Sequence, residues 1–353
     1  MKILGSSTKK ILIRATNWIG DAVMSLPALR AVRRKYPEAE IVALARPWVA
    51  DLYEGESSID RVIPLEGAVG LHDFNIKGKL VRRLRAEAFD LAVLLPNSFE
   101  SAALVRLAGV TRIIGYARDG RSALLTDAIA RPGRGDLPEH ERFYYLELLR
   151  RAGLIDAIPD VPEIRLEGLG EARKRGERDF AHAGLRMPVI GVSPGAAYGS
   201  AKRWLPERFA ESAAQLAAAH GASVAVFGSA AEKDLCAQVA AVCGGYNFAG
   251  DTTLREFIDM TAACSVFLTN DSGAMHIAAA AGIPSVTIFG PTNEFGTGPL
   301  GPLARIVREP VDCQRCMKRK CPIDHRCMTR VTAEQVVLTA EGLLQTTRHD
   351  TRN

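Results

Sequence analysis

Three loops in this sequence carry residue types that could act on a phosphorylated, hydroxyl-bearing substrate. The first, Thr16 to Asp21, follows an apolar segment and ends in a glycine and a carboxylate. A carboxylate at the lip of a cleft can accept a proton from a hydroxyl group, which makes Asp21 a candidate general base. The same pattern is typical of an ordinary acidic residue at the start of a helix, and that interpretation stays open.

The second loop, residues 193–204, is rich in glycine and ends in adjacent Lys202 and Arg203. Such a loop can fold over a diphosphate, with the lysine ammonium neutralising charge on a leaving group. The sequence contains no Asp-x-Asp pattern of the kind that clamps a metal ion. We therefore expect no cofactor for catalysis, and we expect the charge to fall on Lys202 and a helix dipole.

The third loop runs from Thr269 directly into an alanine-rich helix. Ser272 and Gly273 would present backbone N–H groups to a phosphate at the positive end of that helix. Asp271 would then face a sugar hydroxyl. His276 fits the same site, but a packed core histidine explains its position equally well.

Four cysteines crowd into residues 313–327, with His325 among them. Cys313, Cys316, Cys321 and Cys327 have the short spacing of a structural zinc site, which would hold together a loop of low apolar content. An iron–sulfur cluster, redox disulfides and unligated thiols are the alternatives. None of these would be the catalytic centre.

Two rival enzyme classes can be weighed on motifs. Residues 191–195 fit the G-x-S-x-G nucleophile elbow, which would make the protein an α/β-hydrolase that uses Ser193. The elbow needs a helix directly after the serine, whereas Pro194 and Gly195 favour a loop. A dinucleotide-dependent oxidoreductase is disfavoured because neither G-x-G-x-x-G nor a Walker pattern follows any predicted strand.

The elements that must position these loops alternate between short apolar strands and helices. Predicted strands are 11–13, 41–44, 91–95, 189–192, 224–227, 266–269 and 286–289. Segments long enough for crossover helices separate most of them, which predicts an α/β protein with two doubly wound, Rossmann-like domains facing a cleft. We place an N-terminal domain at residues 1–165 and a C-terminal domain at 166–353, the latter with the cysteine-rich loop and a terminal helix from Ala333.

The composition of the sequence limits the kinds of molecule that the protein can bind. The 353 residues carry a formal net charge of +5, which is too modest for a nucleic-acid binder. No apolar stretch is long enough to span a membrane, and the start of the chain lacks a signal-peptide core, so we expect a cytoplasmic protein. A basic run from Lys77 to Arg85 predicts peripheral contact with an anionic inner membrane surface, although most such runs are simply solvated helix faces.

Taken together, three groups of motifs resemble those of the ADP-heptose:lipopolysaccharide heptosyltransferases, and the resemblance covers nearly the whole chain. They are Asn17-Trp18-Ile19-Gly20-Asp21 with Leu26-Pro27-Ala28-Leu29-Arg30, then Pro194-Gly195-Ala196 with Ala201-Lys202-Arg203-Trp204, then Thr269-Asn270-Asp271-Ser272-Gly273 with Met275-His276 and Phe289-Gly290-Pro291. The resemblance implies a glycosyltransferase-B fold and an inverting transfer of heptose. It also implies an ADP-heptose donor on the C-terminal domain and an anionic lipopolysaccharide inner-core acceptor on the N-terminal domain.

The same resemblance assigns roles to individual residues. Asp21 would be the general base, and Lys202 would contact the diphosphate. Donor binding would also involve Gly195, Asp271, Ser272, Gly273 and His276, with Glu232 a weaker assignment. Candidates for the acceptor side are Asn17, Arg118 and Arg121, although surface salt bridging explains the two arginines as well. The residues of these motifs favour the subtype that adds the second heptose. The alternative is a non-catalytic module that binds a sugar nucleotide.

Overall fold

The computed structural model describes residues 8–68, 70 and 73–350, and it divides the chain into two compact units, residues 1–161 and 162–353. Each unit is built around one parallel sheet. The prediction of an α/β protein with two doubly wound domains is confirmed.

The first unit contains six parallel strands in the order β3-β2-β1-β4-β5-β6. Its strands are β1 (Lys10–Arg14), β2 (Glu40–Ala45), β3 (Arg61–Pro64), β4 (Leu91–Leu94), β5 (Arg112–Tyr116) and β6 (Asp127–Ile129). Its helices are α1 (Ile19–Lys35), α2 (Pro47–Glu54), α3 (Phe74–Ala86), α4 (Phe99–Leu107) and α5 (Arg142–Arg151). Strands β1, β2 and β4 are apolar along most of their length because helices cover both faces of a parallel sheet.

The second unit repeats this arrangement, with strand order β12-β11-β10-β7-β8-β9. Its strands are β7 (Val189–Ser193), β8 (Ser223–Val226), β9 (Tyr246–Asn247), β10 (Val266–Asn270), β11 (Ser285–Ile288) and β12 (Ala304–Val307). Its helices are α6 (Leu169–His182), α7 (Pro206–His220), α8 (Lys233–Cys243), α9 (Leu254–Ala263), α10 (Gly273–Ala280), α11 (Glu294–Thr297), α12 (Arg326–Thr329) and α13 (Ala333–Asp350). All pairings in this sheet are parallel.

The strand order reverses at a central pair in each sheet. In the first unit this pair is β1 and β4, with Arg14 opposite Leu94; in the second it is β7 and β10, with Ser193 opposite Thr269. Ligands of doubly wound sheets bind beyond the carboxyl ends of the strands at this reversal. The loops that carry Asp21, Lys202 and Asp271 all follow strands of these central pairs.

The basic run from Lys77 to Arg85, which was predicted to contact a membrane surface, lies on α3 and is only partly exposed. Lys77 is buried, and its ammonium lies 2.8 Å from the carboxylate of Glu100. Burial of an ammonium requires such a partner. Lys77 is therefore a structural residue, and the exposed part of the run consists of Lys79, Arg82, Arg83 and Arg85.

None of the helices in the described part of the chain is both long enough and apolar enough to cross a bilayer.

Candidate functional site

Asn270, the last residue of β10, organises the loop that follows β7. Its side-chain Oδ1 accepts a hydrogen bond from the backbone N–H of Trp204 at 2.9 Å, and its Nδ2 donates to the carbonyl of Pro194 at 2.7 Å. Asn270 is fully buried, so both bonds are shielded from water. One side chain thus fixes the beginning and the end of the 194–204 loop, which contains Lys202.

Lys202 and Asp271 meet at the carboxyl edge of the second sheet. The Nζ of Lys202 lies 2.6 Å from Oδ2 of Asp271, and the two side chains are 12% and 4% exposed. Thr292, in the loop after β11, donates its hydroxyl to the same carboxylate oxygen. The cation and the acid that the sequence analysis predicted for one site are therefore direct partners.

The start of α10 lies next to this pair. Ser272 is the N-cap residue of α10, yet its side chain accepts no capping hydrogen bond, and its hydroxyl lies 3.3 Å from that of Thr269. The first backbone N–H groups of a helix have no partner within the helix, so they favour an anion. Gly273 begins the helix, and His276 is buried within it.

Gly195 and Glu232 form a second contact at the same edge. A Cβ at Gly195 would overlap the Glu232 carboxylate, so a side chain there would force this carboxylate to move. Oε2 of Glu232 accepts hydrogen bonds from the backbone and hydroxyl of Ser229 at 3.0 and 2.8 Å, and Arg203 Nη2 lies 3.9 Å from Oε1. The structure therefore brings Gly195, Lys202, Glu232 and Asp271 to one end of one sheet.

The geometry around Ser193 does not form a nucleophile elbow. Ser193 is buried at the end of β7, and the chain continues through a loop and a short 3₁₀ turn at residues 200–202 before α7 begins at Pro206. An elbow requires the serine on a sharp turn directly before a helix. The hydrolase alternative therefore lacks its structural basis.

In the first unit, Asp21 lies in the first turn of α1, beside α5. Its negative charge helps to raise the pKa of two α5 neighbours, Glu141 and Tyr145, although desolvation is the larger cause in both. Asp21 is therefore close enough to Glu141 and Tyr145 to interact electrostatically with both. Sequence reasoning missed Glu141 and Tyr145, because no local pattern connects them with the Asp21 loop.

Asn17 is held by residues of the first unit. Its side-chain oxygen accepts a hydrogen bond from Nη2 of buried Arg14 at 2.8 Å, and its carbonyl accepts one from the indole of Trp48 at 2.7 Å. Burial, and next the nearby Arg46, lower the pKa of Arg14 to about 10. These contacts fix the loop that leads into Asp21.

Arg118 and Arg121 occupy opposite environments. Arg118 is exposed, with its Nε 3.3 Å from Asp119. Arg121 is fully buried and donates to the Tyr116 carbonyl and the Ser101 hydroxyl at 3.0 Å each, and also to the carbonyl of Pro96. Because its guanidinium is enclosed by the protein, Arg121 holds the loop before α4 and is not exposed as an acceptor-binding residue would be.

The four clustered cysteines are all free thiols. Cys327 belongs to the hydrophobic core of the second unit and Cys313 packs against that core. Burial raises the pKa of the Cys327 thiol to about 11, and the other three clustered thiols act in the same direction. Within residues 8–68, 70 and 73–350, no three His, Cys, Asp or Glu side chains are grouped to hold a metal ion, so the expected structural zinc is not supported.

Comparison with known proteins gives a consistent result. The family described as glycosyltransferase family 9 (heptosyltransferase) matches residues 77–326. Lipopolysaccharide heptosyltransferase 2 of Escherichia coli K12 is 32% identical over 85% of this chain and 88% of its own length. The corresponding protein of Salmonella typhimurium is 33% identical over the same shares.

Solved structures show the same relationship. The structure of E. coli ADP-heptose LPS heptosyltransferase II matches with a TM-score of 0.82 and 29% identity, covering 96% of this chain and 99% of that one. The E. coli heptosyltransferase WaaC with ADP matches with a TM-score of 0.71 and 19% identity, over 95% and 99% of the two chains, which supports the fold alone.

Proposed function

We propose a specific reaction on the premise that this chain belongs to glycosyltransferase family 9, the heptosyltransferases. In this reaction the protein transfers heptose from ADP-heptose to the inner core of lipopolysaccharide. The heptose that it adds is the second one of the core. The observation that supports donor binding by the second unit is the Lys202–Asp271 pair beside the start of α10. This pair lies where the strand order of the second sheet reverses. A cation next to unpaired helix N–H groups is suited to a diphosphate.

The proposed chemistry is a direct displacement with inversion. The acceptor hydroxyl attacks the anomeric carbon of the heptose while Asp21 removes its proton. The bond between that carbon and the diphosphate oxygen breaks, and ADP leaves with the bonding electron pair. Lys202 and the N-terminus of α10 stabilise the charge that develops on the leaving group.

The remaining donor-side residues have supporting roles in this proposal. Gly195 allows close approach of the loop backbone, and Ser272 and Gly273 offer backbone N–H groups. Asp271 orients Lys202 and is available to a hydroxyl of the donor, while Glu232 and His276 line the pocket. On the acceptor side we retain Asn17 and Arg118, and we assign Arg121 a structural role because it is buried.

The relatives support the second heptose over the first. The two heptosyltransferase 2 proteins are 32% and 33% identical to this chain, whereas the heptosyltransferase 1 of Pseudomonas aeruginosa is 25% identical. We therefore propose that the acceptor already carries one heptose.

We also propose that the reaction takes place at the cytoplasmic face of the inner membrane, with the exposed face of α3 against anionic lipid. Phe74 is 80% exposed and Ile76 is 40% exposed, next to Lys79, Arg82 and Arg83. Exposed aromatic and basic side chains on one helix favour the interface of an anionic bilayer.

The deciding experiment measures ADP release with ADP-heptose and two purified lipopolysaccharide acceptors, one with no heptose and one with a single heptose. We expect turnover with the single-heptose acceptor. Turnover with the heptose-free acceptor alone would assign the first heptose instead. Binding of ADP-heptose without ADP release on either acceptor would identify a sugar-nucleotide binding module.

A further inference from the structure

The cysteine-rich segment, residues 312–329, connects β12 to α13 and carries no strand. Three of its non-glycine residues, Arg315, Met317 and His325, have positive φ angles of 57, 55 and 56°. Such conformations are uncommon outside glycine, and they persist where surrounding contacts determine them. The segment is thus held in one defined path.

Much of that path follows the donor loop of residues 194–204. The hydroxyl of Tyr198 donates to the carbonyl of Met317 at 2.8 Å, and the N–H of Ala201 donates to the carbonyl of Arg319 at 3.0 Å. Nε2 of His325 lies 2.8 Å from the carbonyl of Ala201 and donates to it. Both backbone polar groups of Ala201, the residue before Lys202, are therefore bonded to the segment.

Tyr198 also connects the segment with the Lys202 side chain. The ammonium of Lys202 lies 4.8 Å from the centroid of the Tyr198 ring, and the guanidinium carbon of Arg319 lies 5.2 Å from it. A cation at this distance from an aromatic ring is attracted to it. The lysine is thus held by Asp271, by the Tyr198 ring and by the backbone on its N-terminal side.

Gly199 marks the closest approach of the two segments. A side chain at this position would overlap the backbone carbonyl of Arg319, and its φ of 156° is rarely adopted by other residues. The backbone of the segment cannot move aside as a flexible side chain can. Glycine is therefore needed for the contact.

We propose that the cysteine-rich segment sets the position of Lys202 for the donor diphosphate, with Tyr198 and His325 as positioning residues. This inference rests on the proposed function, because it assigns the segment to the donor site of that reaction. The segment acts through hydrogen bonds to residues 198–201.

The first test separates the two segments with Gly199→Ala. We expect ADP affinity, measured by calorimetry, and kcat/KM for ADP-heptose to fall at least about tenfold, with the KM for the acceptor unchanged. Gly342→Ala is the matched control, since Gly342 lies in α13 with no atom within 4 Å of an added Cβ. Unchanged ADP affinity and donor KM in Gly199→Ala would overturn the proposal.

The second test removes single bonds and keeps the fold. Tyr198→Phe deletes only the hydroxyl, and His325→Gly deletes the imidazole while suiting the positive φ. We expect each variant to raise the donor KM and weaken ADP binding about 2–10-fold, which corresponds to the free energy of one hydrogen bond. We expect His325→Gln to bind ADP more tightly than His325→Gly, because glutamine can donate a hydrogen bond. A rise in the acceptor KM as large as the rise in the donor KM, with no rescue by glutamine, would indicate a general structural role and contradict the proposal.

The two proposals fail in different ways. If the wild-type protein binds ADP but transfers no heptose, the proposed reaction is wrong, and the ADP affinities of these variants still test the positioning role. If the wild-type protein transfers heptose and the variants match it, the positioning role alone is wrong.

Discussion

The ammonium of Lys202 lies 2.6 Å from the carboxylate of Asp271, and both side chains are largely shielded from water. Removing one partner of a buried pair leaves an uncompensated charge, which costs about 3–5 kcal/mol. We expect Lys202→Met to lower the unfolding free energy of the second unit and to weaken ADP binding at least about tenfold. Urea unfolding and calorimetry measure the two effects.

A double variant separates stability from binding at this pair. Lys202→Met with Asp271→Asn removes both charges, so its unfolding free energy is expected to exceed that of Lys202→Met, while ADP binding stays weak. Lys174→Met, at an exposed lysine on α6 of the same unit, is the control. Normal ADP affinity in Lys202→Met would remove this lysine from the donor site.

Asp21→Asn tests the proposed base. The change keeps the shape of the side chain and removes its ability to take a proton, so kcat is expected to fall about 10²–10⁴-fold with ADP affinity unchanged. Asp234→Asn, at an exposed aspartate in the first turn of α8, is the control. Turnover within about threefold of wild type would mean that Asp21 only stabilises its helix.

Alanine variants of the two arginines that were candidates for acceptor binding should affect different properties of the protein. Arg121→Ala leaves buried carbonyls without donors, which is expected to cost about 3 kcal/mol of unfolding free energy. Arg118→Ala is expected to leave stability unchanged and to raise the acceptor KM several-fold. An unchanged acceptor KM would make Arg118 an ordinary surface residue that pairs with Asp119.

Membrane contact through α3 predicts dependence on lipid charge. Each basic residue near an anionic bilayer contributes about 1 kcal/mol, so Lys79→Ala with Arg82→Ala should weaken binding to anionic vesicles about 30-fold at low salt. Co-sedimentation of the wild type and the double variant measures this. Arg173→Ala with Lys174→Ala on α6 is the control, and equal binding of the wild type to neutral vesicles would contradict lipid recognition by charge.

Acid stability of the first unit depends in part on Glu87. Hydrogen bonds from Arg61, and next from Lys10, lower its pKa from 4.5 to about 2. Its contribution is complete above 4.5 and is lost as pH falls toward 2. Because partly exposed ion pairs are weak, we expect Glu87→Gln to remove about 1 kcal/mol at pH 6 and little at pH 2.

The measurement for Glu87 is urea unfolding of the wild type and the variant across this pH range. Glu38→Gln is the control, at an exposed glutamate of the same unit. A difference between wild type and Glu87→Gln that stays constant down to pH 2 would contradict the assignment.

The central strands of both sheets could be predicted from sequence because they are short apolar runs buried on both faces. The start of the terminal helix at Ala333 was also predicted correctly, and the hydroxyl of the preceding Thr332 accepts the N–H of Gln335 at 3.2 Å. Five strands were missed: the four edge strands β3, β6, β9 and β12, and the inner strand β5. None of these five strands contains more than two consecutive apolar residues, so none gives the apolar run by which a buried strand is recognised.

The burial of two basic residues could not be predicted from sequence, because distant contacts decide their environment. Lys77 and Arg121 have the sequence surroundings of surface residues. Lys77 is buried by Glu100, and Arg121 by residues 96–101, all about 20 or more positions away. Asn270 lies inside a predicted motif, yet its hydrogen bonds to Pro194 and Trp204 form only because β7 and β10 are adjacent in the sheet.

The adjacency of β7 and β10 also affects how the site around Lys202 and Asp271 responds to partial denaturation. Strands β7 and β10 lie in the middle of their sheet, with β8 and β9 on one side and β11 and β12 on the other. Edge strands fray first, so amide protons on the central pair exchange with solvent only when the whole sheet opens. The arrangement of Asn270, Asp271 and Lys202 should therefore persist while the edge strands open, and it should be lost in one cooperative event.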